Sequence, residues 1–277
     1  MKTIVTHIHP DLDAITSIWL IKRFLPDWQD ADIAFVSAGA TYKNLPPDGD
    51  PDIIHVDTGL GKFDHHQTDE FTSATKRVFT YLGDKHSITD PSIEALEHIV
   101  QQVTEIDHFA EANYPEPTHD RYDFMLTQLI EGLHNLMKDN TSVVNYVLTL
   151  LDALLILFEN KTKAEHEIKT GFVFESKWGK TLAIETKNEE VMKLALKIGY
   201  GMVIRKDPEK GNIRIKTLPK KEMDITPIYK IMQKLDPQAT WFLHASKNIL
   251  LNGSSKGPTM IPSVLPLKKV IEIVRGI

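Results

Sequence analysis

Nine of the twelve histidines in this chain precede residue 120, and several of them stand beside aspartates at places where a strand would end. The first such place is Thr6-His7-Ile8-His9-Pro10-Asp11-Leu12-Asp13-Ala14. There His7, Asp11 and Asp13 present one imidazole and two carboxylates from a single turn. Such a set repels itself without a cation, and its hard oxygens and borderline nitrogen suit a divalent metal. One of the two aspartates fits equally well as the cap of the helix that follows. A single cap leaves the other aspartate and the histidine without a structural task.

The second place opens with the apolar run Ile53-Ile54-His55-Val56 and ends in Asp57. A carboxylate just past a buried strand is costly unless a metal or a donor meets it. Phe63-Asp64-His65-His66-Gln67 follows. Adjacent histidines beside an aspartate can supply one ligand and one free imidazole, while Asp64 can fix a ring tautomer. The third place, Glu105-Ile106-Asp107-His108, brings another carboxylate on a helical stretch, where an ordinary surface ion pair is the competing role. The chain has no cysteine, so any metal rests on His, Asp and Glu, and thiolate or disulfide chemistry is excluded.

These residues need elements to hold them. Thr3–His7 reads as a short strand, followed by a helix carrying Ile15, Ile18, Trp19, Ile21 and Leu25 and stopped by Pro26. Residues 34–36 and 53–56 read as further strands. Strands alternating with helices predict a parallel sheet with its chemistry at the carboxyl ends. From Pro91 to about Glu167 the pattern is helical, with a break at Pro115 and Pro117. The apolar positions 144, 147, 148, 151, 154, 155 and 158 within it predict a buried helix, too short in its apolar part to span a bilayer of about 20 residues. Beyond it, strands are expected at 171–176, 181–185, 201–205, 212–217 and 240–245, with helices at 188–199, 224–235 and 265–275.

Length and charge agree with two domains. At 277 residues the chain is about twice a typical domain of roughly 150 residues. Residues 1–168 carry 12 Lys and Arg against 28 Asp and Glu, whereas residues 169–277 carry 20 against 10. The acidic part suits cations and the basic part an anionic substrate, although docking of opposite surfaces explains the same asymmetry. The expected fold is α/β: an N-terminal parallel-sheet domain with a helical extension over 1–168, and a smaller α/β domain over 169–277. The composition excludes collagen-like, disordered and disulfide-scaffold classes. The amino end lacks a secretory pattern, so a cytoplasmic location and no membrane association are expected.

The order His7-Ile8-His9-Pro10-Asp11-Leu12-Asp13, then Asp57, then Asp64-His65-His66, resembles the first three motifs of the DHH phosphoesterase superfamily. That superfamily includes RecJ-like exonucleases, nanoRNase-type oligoribonucleases, cyclic-dinucleotide phosphodiesterases and family II inorganic pyrophosphatases. The resemblance covers roughly the first 70 residues, with Asp107 matching a fourth motif. It implies two divalent ions, manganese or magnesium. His7 and Asp11 would hold one ion, Asp13, His65 and Asp107 the other, and Asp57 would bridge both. His66 would face the phosphate, and Asp64 would support it. A homodimer is compatible with this reading.

In the C-terminal part, Asn252-Gly253-Ser254-Ser255-Lys256-Gly257-Pro258 gathers glycines, hydroxyls and a cation in one loop. Backbone N–H groups freed by glycine can approach an anion, with Ser254, Ser255 and Lys256 as added donors; a plain turn is the competing reading. The loop's position resembles the glycine-rich motif of the substrate-binding domain that follows many DHH domains. His244, in Phe242-Leu243-His244-Ala245-Ser246, is similar to the exonuclease branch named for the melanocyte-proliferating gene, though without its triple-glycine-histidine form. Residues 205–221 add Arg205, Lys206, Lys210, Arg214, Lys216, Lys220 and Lys221, a basic hairpin able to follow a nucleic-acid backbone or to guard a sheet edge. The expected activity is two-metal hydrolysis of short single-stranded nucleic acids or (cyclic) dinucleotides. A manganese-dependent pyrophosphatase and a non-catalytic nucleic-acid-binding relative are the alternatives.

Overall fold

The computed structural model describes every residue except 86, 89–91, 254–256 and 258, and it divides into two compact units, Met1–Glu159 and Asn160–Ile277. Both are mixed α/β. In the first unit, β1 (Thr3–His7) lies between β2 (Asp32–Val36) and β3 (Ile53–His55), and all three run parallel. The crossover α1 (Leu12–Phe24) is capped by Asp11, whose carboxylate accepts the Ala14 N–H at 3.0 Å. It ends at Leu25, held extended before Pro26. Every residue from Leu12 to Ile21 is buried. Ile15, Ile18 and Leu20 are wholly enclosed, each contributing about 1.5–3 kcal/mol relative to exposure.

Four more helices complete this unit or leave it: α2 (Ala74–Asp84), α3 (Ser92–Asp107), α4 (Leu126–Leu136) and α5 (Asn140–Thr170). The sequence reading passes over α2, which Ser73 caps by accepting the Lys76 N–H at 3.2 Å. The expected break at Pro115 and Pro117 falls between α3 and α4, among short 3-10 turns. The apolar run expected to be buried is buried along one face of α5 only. Val143, Val144, Val147, Leu151 and Leu155 join the core, while Tyr146 is 59 % and Leu157 61 % exposed. By length and composition α5 is apolar enough to cross a membrane, a continuous 31 residues where the sequence reading counted only its apolar middle. The boundary expected near residue 168 lies close to the end of this helix, whereas the compact units divide within it.

The second unit contains β4 (Phe172–Ser176), β5 (Gly179–Glu185), α6 (Glu190–Lys197), β6 (Met202–Lys206), β7 (Ile213–Thr217), α7 (Thr226–Leu235), β8 (Phe242–Leu243), β9 (Ile249–Leu251) and α8 (Leu267–Arg275). Its sheet is mixed, in the order β4-β5-β6-β7-β9-β8, and only β5 and β6 are parallel, joined by α6. The strand expected over 240–245 shrinks to two residues, and β9 falls in a stretch read as loop. Alternation along β6 serves two cores: Met202 and Ile204 pack with α7 and α8, and Val203 packs with α6. Gly201 leads into β6 where a Cβ would stand 1.9 Å from the Trp178 carbonyl oxygen, so only glycine fits.

Candidate metal centre

The carboxyl ends of β1 and β3 deliver the first donors. His7 is the last residue of β1, and its Nδ1–H donates to the Ile8 carbonyl at 3.0 Å. That bond fixes the ring so that Nε2 faces inward, 3.2 Å from Asp57 Oδ2. Asp57 follows β3 with φ 54°, the left-handed region that a non-glycine residue rarely adopts. Its N–H is held by the Phe63 carbonyl at 3.0 Å, so the strain is locked in by the turn that carries Asp64 and His65.

His65 Nε2 stands 3.4 Å from Asp57 Oδ1, 3.5 Å from Asp107 Oδ2 and 3.7 Å from Asp13 Oδ2. These separations are too long for good hydrogen bonds. They do match donors sharing one ion, since ligands about 2.1 Å from a metal stand roughly 3.0–3.5 Å from one another. Asp107 arrives from the last residue of α3. Donor atoms of His7, Asp11 and Asp57 form one group within 4.8 Å, and those of Asp13, His65 and Asp107 form a second. Asp57 also groups with His65 and His66. Asp57 Oδ1, His65 Nε2 and Asp107 Oδ2 are all buried without a hydrogen-bond partner, which costs free energy unless something else meets them. The residues present therefore fit a pair of divalent ions.

Titration behaviour expresses the same crowding. Burial, then the charges of Asp57 and Asp107, push Asp13 up to about 7. Burial likewise lifts Asp107 to about 6, opposed by His65, and raises Asp11 with help from Asp57. For His7, burial works against the charged ring, but Asp57, the Ile8 carbonyl and Asp11 outweigh it and raise it to about 9. The Asp57 carboxylate, against the cost of burial and with Asp107 and Asp13 adding, raises His65 to about 9. Burial would raise Asp57 too, yet His65 and His7 hold it well below the ordinary carboxylate range. Protons thus neutralise a site whose geometry offers the same places to cations.

Both aspartates of the first motif also have structural tasks. Asp11 caps α1, and Asp13 receives the N–H groups of Ala74 and Thr75 at the start of α2, each at 2.8 Å. Each Asp13 oxygen keeps a lone pair beyond its backbone bond. Asp64 is buried and accepts from Leu60 N–H at 2.7 Å, His66 N–H at 3.1 Å and His66 Nδ1 at 2.7 Å. Burial would raise Asp64, but these bonds outweigh it and keep the carboxylate below its usual value. The His66 side chain is 60 % exposed, so Nε2 is left for solvent or a ligand. A cavity of about 360 Å³ opens over the cluster, lined by His7, Asp11, Asp57, Asp64, His66 and Asp107.

Sequence reasoning missed part of that cavity's wall, Ala38, Gly39 and Leu60. The small residues after β2 stand at the carboxyl end of a parallel strand, the one signal that pointed to them. It also missed His108, whose Nδ1–H donates to the Thr104 carbonyl at 2.9 Å beside Asp107.

The expected substrate residues of the second unit are not gathered in this way. His244 is exposed, with Nδ1 at 2.8 Å from the Ser246 hydroxyl. Asn252 is wholly buried: its amide donates to the Thr240 and Ile261 carbonyls, both at 2.9 Å, and its Oδ1 accepts the Ser263 N–H at 2.7 Å. No side-chain donor of Asn252 is left over for a ligand. Gly253 lines a separate cavity with φ 90°. Ser254, Ser255 and Lys256 lie outside the described residues.

A family model described as ChrB, C-terminal domain, matches residues 4–158. No curated protein matches the chain significantly. Among solved structures, RecJ of Thermus thermophilus in complex with Mg²⁺ aligns over 99 % of this chain and 49 % of its own, at 13 % identity and TM-score 0.35. The chain thus spans about half the length of that protein. The DHH domain of a protein described as a member of a family of ribosomal proteins aligns over 99 % of this chain and 85 % of its own, at 12 % identity and TM-score 0.32. An exopolyphosphatase-related protein from Bacteroides fragilis gives 98 %, 89 %, 12 % and 0.30 for the same quantities. Likenesses this distant carry no conclusion for this chain, and the resemblance to the DHH superfamily rests on the motifs themselves.

Proposed function

The chain belongs to the family of the ChrB C-terminal domain, whose model matches more than half of it, and from the pocket within that span we propose a metal-dependent phosphoesterase. The single observation that carries this reading is the convergence of six acidic and imidazole donors into two groups that meet at Asp57. His7 and Asp11 would hold one ion, Asp13, His65 and Asp107 a second, and Asp57 would serve both. Bound there, two manganese or magnesium ions supply Lewis acidity toward a water and toward phosphoryl oxygens.

The chain's own residues do the rest. Asp64, kept ionised, holds the His66 proton at Nδ1 and aims Nε2 outward. In the imidazolium form the His66 Nε2–H would donate to a phosphoryl oxygen or pass that proton to a leaving oxygen, and in the neutral form Nε2 would accept a proton from a water. The Ile8 carbonyl keeps His7 in the tautomer that offers Nε2 to an ion. From the left-handed turn at Asp57, its Oδ2 stands beside His7 and its Oδ1 beside His65.

A phosphodiester of a short oligonucleotide, a dinucleotide or a cyclic dinucleotide is the preferred substrate. Among the described residues lining this cavity none is Lys or Arg, which leaves a compact tetra-anion such as pyrophosphate without a side-chain cation there. End-labelled short oligonucleotides, dinucleotides, cyclic dinucleotides and pyrophosphate, each assayed with manganese and with chelator, test the proposal. Turnover of a diester only with metal supports it. Binding without turnover across the whole panel would reduce the protein to a non-catalytic relative.

A further inference from the structure

The second unit holds a cavity of about 480 Å³, lined by Glu189, Arg205, Asp207, Lys210, Asn212 and Arg214. Arg205 on β6 and Arg214 on β7 are direct partners across the strand pair, so their side chains leave the sheet side by side on one face. Like charges opposed in this way destabilise a sheet. Both are also sunk into the protein, with side-chain exposures of 3 % for Arg205 and 17 % for Arg214. The Nε of each is buried and has no hydrogen-bond partner. A guanidinium left part-satisfied indoors is expensive unless a ligand completes it.

The groups already facing the pair differ in how firmly they are committed. Arg205 Nη2 donates to the Lys187 carbonyl at 2.9 Å and to Asp207 Oδ2 at 3.2 Å. Asp207 is tied to its own turn, accepting the N–H groups of Glu209 and Lys210 through Oδ1. Glu189 is the loose member. Its carboxylate stands 2.6 Å from Arg214 Nη1 and 3.9 Å from Arg205 Nη1, yet its side chain is 58 % exposed, just ahead of α6. One exposed carboxylate spans two enclosed guanidinium groups.

We propose that Glu189 keeps the place of an anionic ligand, and that the Arg205–Arg214 pair binds the phosphate of a phosphate monoester, free or at the end of a nucleotide. A carboxylate ligand would exchange like for like with Glu189. A phosphate dianion gains more: with Glu189 displaced, Arg205, Arg214 and Lys210 against Asp207 leave two positive charges to meet it. Guanidinium groups match phosphate oxygens in pairs, a fit that a lysine lacks. The cavity's volume lies within the roughly 300–1,000 Å³ of small-molecule sites, enough for a nucleoside beyond the phosphate. Gly253 forms part of the wall, where a Cβ would stand 1.7 Å from the Asn212 amide nitrogen, so bare backbone is required there.

This site lies in the second unit and asks nothing of the metal chemistry proposed for the first. Titration calorimetry on the full chain in chelator, with inorganic phosphate, adenosine monophosphate, adenosine and acetate in turn, tests it apart from any turnover. Phosphate and adenosine monophosphate should bind, while adenosine and acetate should not. Tighter binding of the nucleotide identifies it as the source, and equal binding identifies free phosphate. Arg214→Gln should weaken binding at least tenfold with the circular dichroism spectrum unchanged, and Arg205→Lys, which keeps the charge without the fork, should weaken it too. Glu189→Gln should tighten it several-fold. Equal affinity in wild type and Arg214→Gln, no gain in Glu189→Gln, or binding of adenosine as strong as of its phosphate would overturn the proposal.

Discussion

The two oxygens of Asp57 face different imidazoles: Oδ2 stands 3.2 Å from His7 Nε2, and Oδ1 stands 3.4 Å from His65 Nε2. The residue that joins the two donor groups is also one of the few non-glycine residues with a positive φ, at 54°. Asparagine tolerates that backbone better than alanine. Asp57→Asn therefore removes the charge without adding strain. It should lower turnover on the order of a thousandfold and reduce manganese uptake, measured by calorimetry, from two ions to one or none. A variant that binds two ions and turns over normally would remove Asp57 from its bridging role.

Asp13 links the pocket to the fold. Both of its oxygens accept backbone N–H groups from the start of α2, at 2.8 Å each. Asp13→Ala leaves both donors buried and unmet, and should destabilise the metal-free protein by about 1–3 kcal/mol. Urea unfolding in chelator reads this directly. An unchanged midpoint would mean that α2 does not depend on the contact.

Asp64 acts through His66, bound at 2.7 Å. Asp64→Asn should lower kcat by about 10–100-fold and move the pH profile, with manganese stoichiometry unchanged, because only the imidazole's tautomer and basicity are disturbed. Loss of an ion in this variant would place Asp64 among the ligands instead.

Proton uptake on folding sets how the metal-free protein responds to pH. Asp13 and Asp107 are raised from 3.8 to about 7 and about 6, and His7 and His65 from 6.5 to about 9. Their folded forms bind protons more tightly than the unfolded chain does. The aspartate contributions are fully present below 3.8 and fade by about 7, and the histidine contributions are present below 6.5 and fade by about 9. Depressed Asp57 works the other way, but its share is lost only in acid, as pH falls below 3.8. In chelator the melting temperature should therefore fall as pH rises from 6 to 9. Manganese, which competes with the same protons, should reverse that trend. Parallel melting curves in the two conditions would show that ions do not enter this cluster.

The site was legible in the sequence where a charge followed an apolar run. Asp57 after Ile53–Val56, and His7 at the end of Thr3–His7, declared themselves because burial makes an unpaired charge expensive there. Asp107 did not, because its approach depends on where the far end of α3 comes to rest. Ala38 and Gly39 carry no functional group, so only their place just after β2 marked them as cavity wall. Asn252 shows the ambiguity of an amide in a Gly/Ser loop, which serves a ligand or the fold equally well: here the Thr240 and Ile261 carbonyls claim its donors. The Arg205–Arg214 pairing hung on hairpin register, since a slip of one residue would send the two side chains to opposite faces. β9 escaped because three residues are too few to show a period, and the exposed side of α5 because an apolar helix reads the same whether it is covered all round or on one side.

The donors of the candidate metal centre run from His7 to Asp107, and β1, which carries the first of them, is the middle strand of its sheet. A nascent chain leaving the ribosome displays His7, Asp11 and Asp13 long before α3 has been made. The cage can close only after synthesis has passed Asp107 and the early strands have paired, a late, long-range event. Any divalent ion that this cluster takes up would therefore enter a pocket already assembled around Asp57, after the chain has folded.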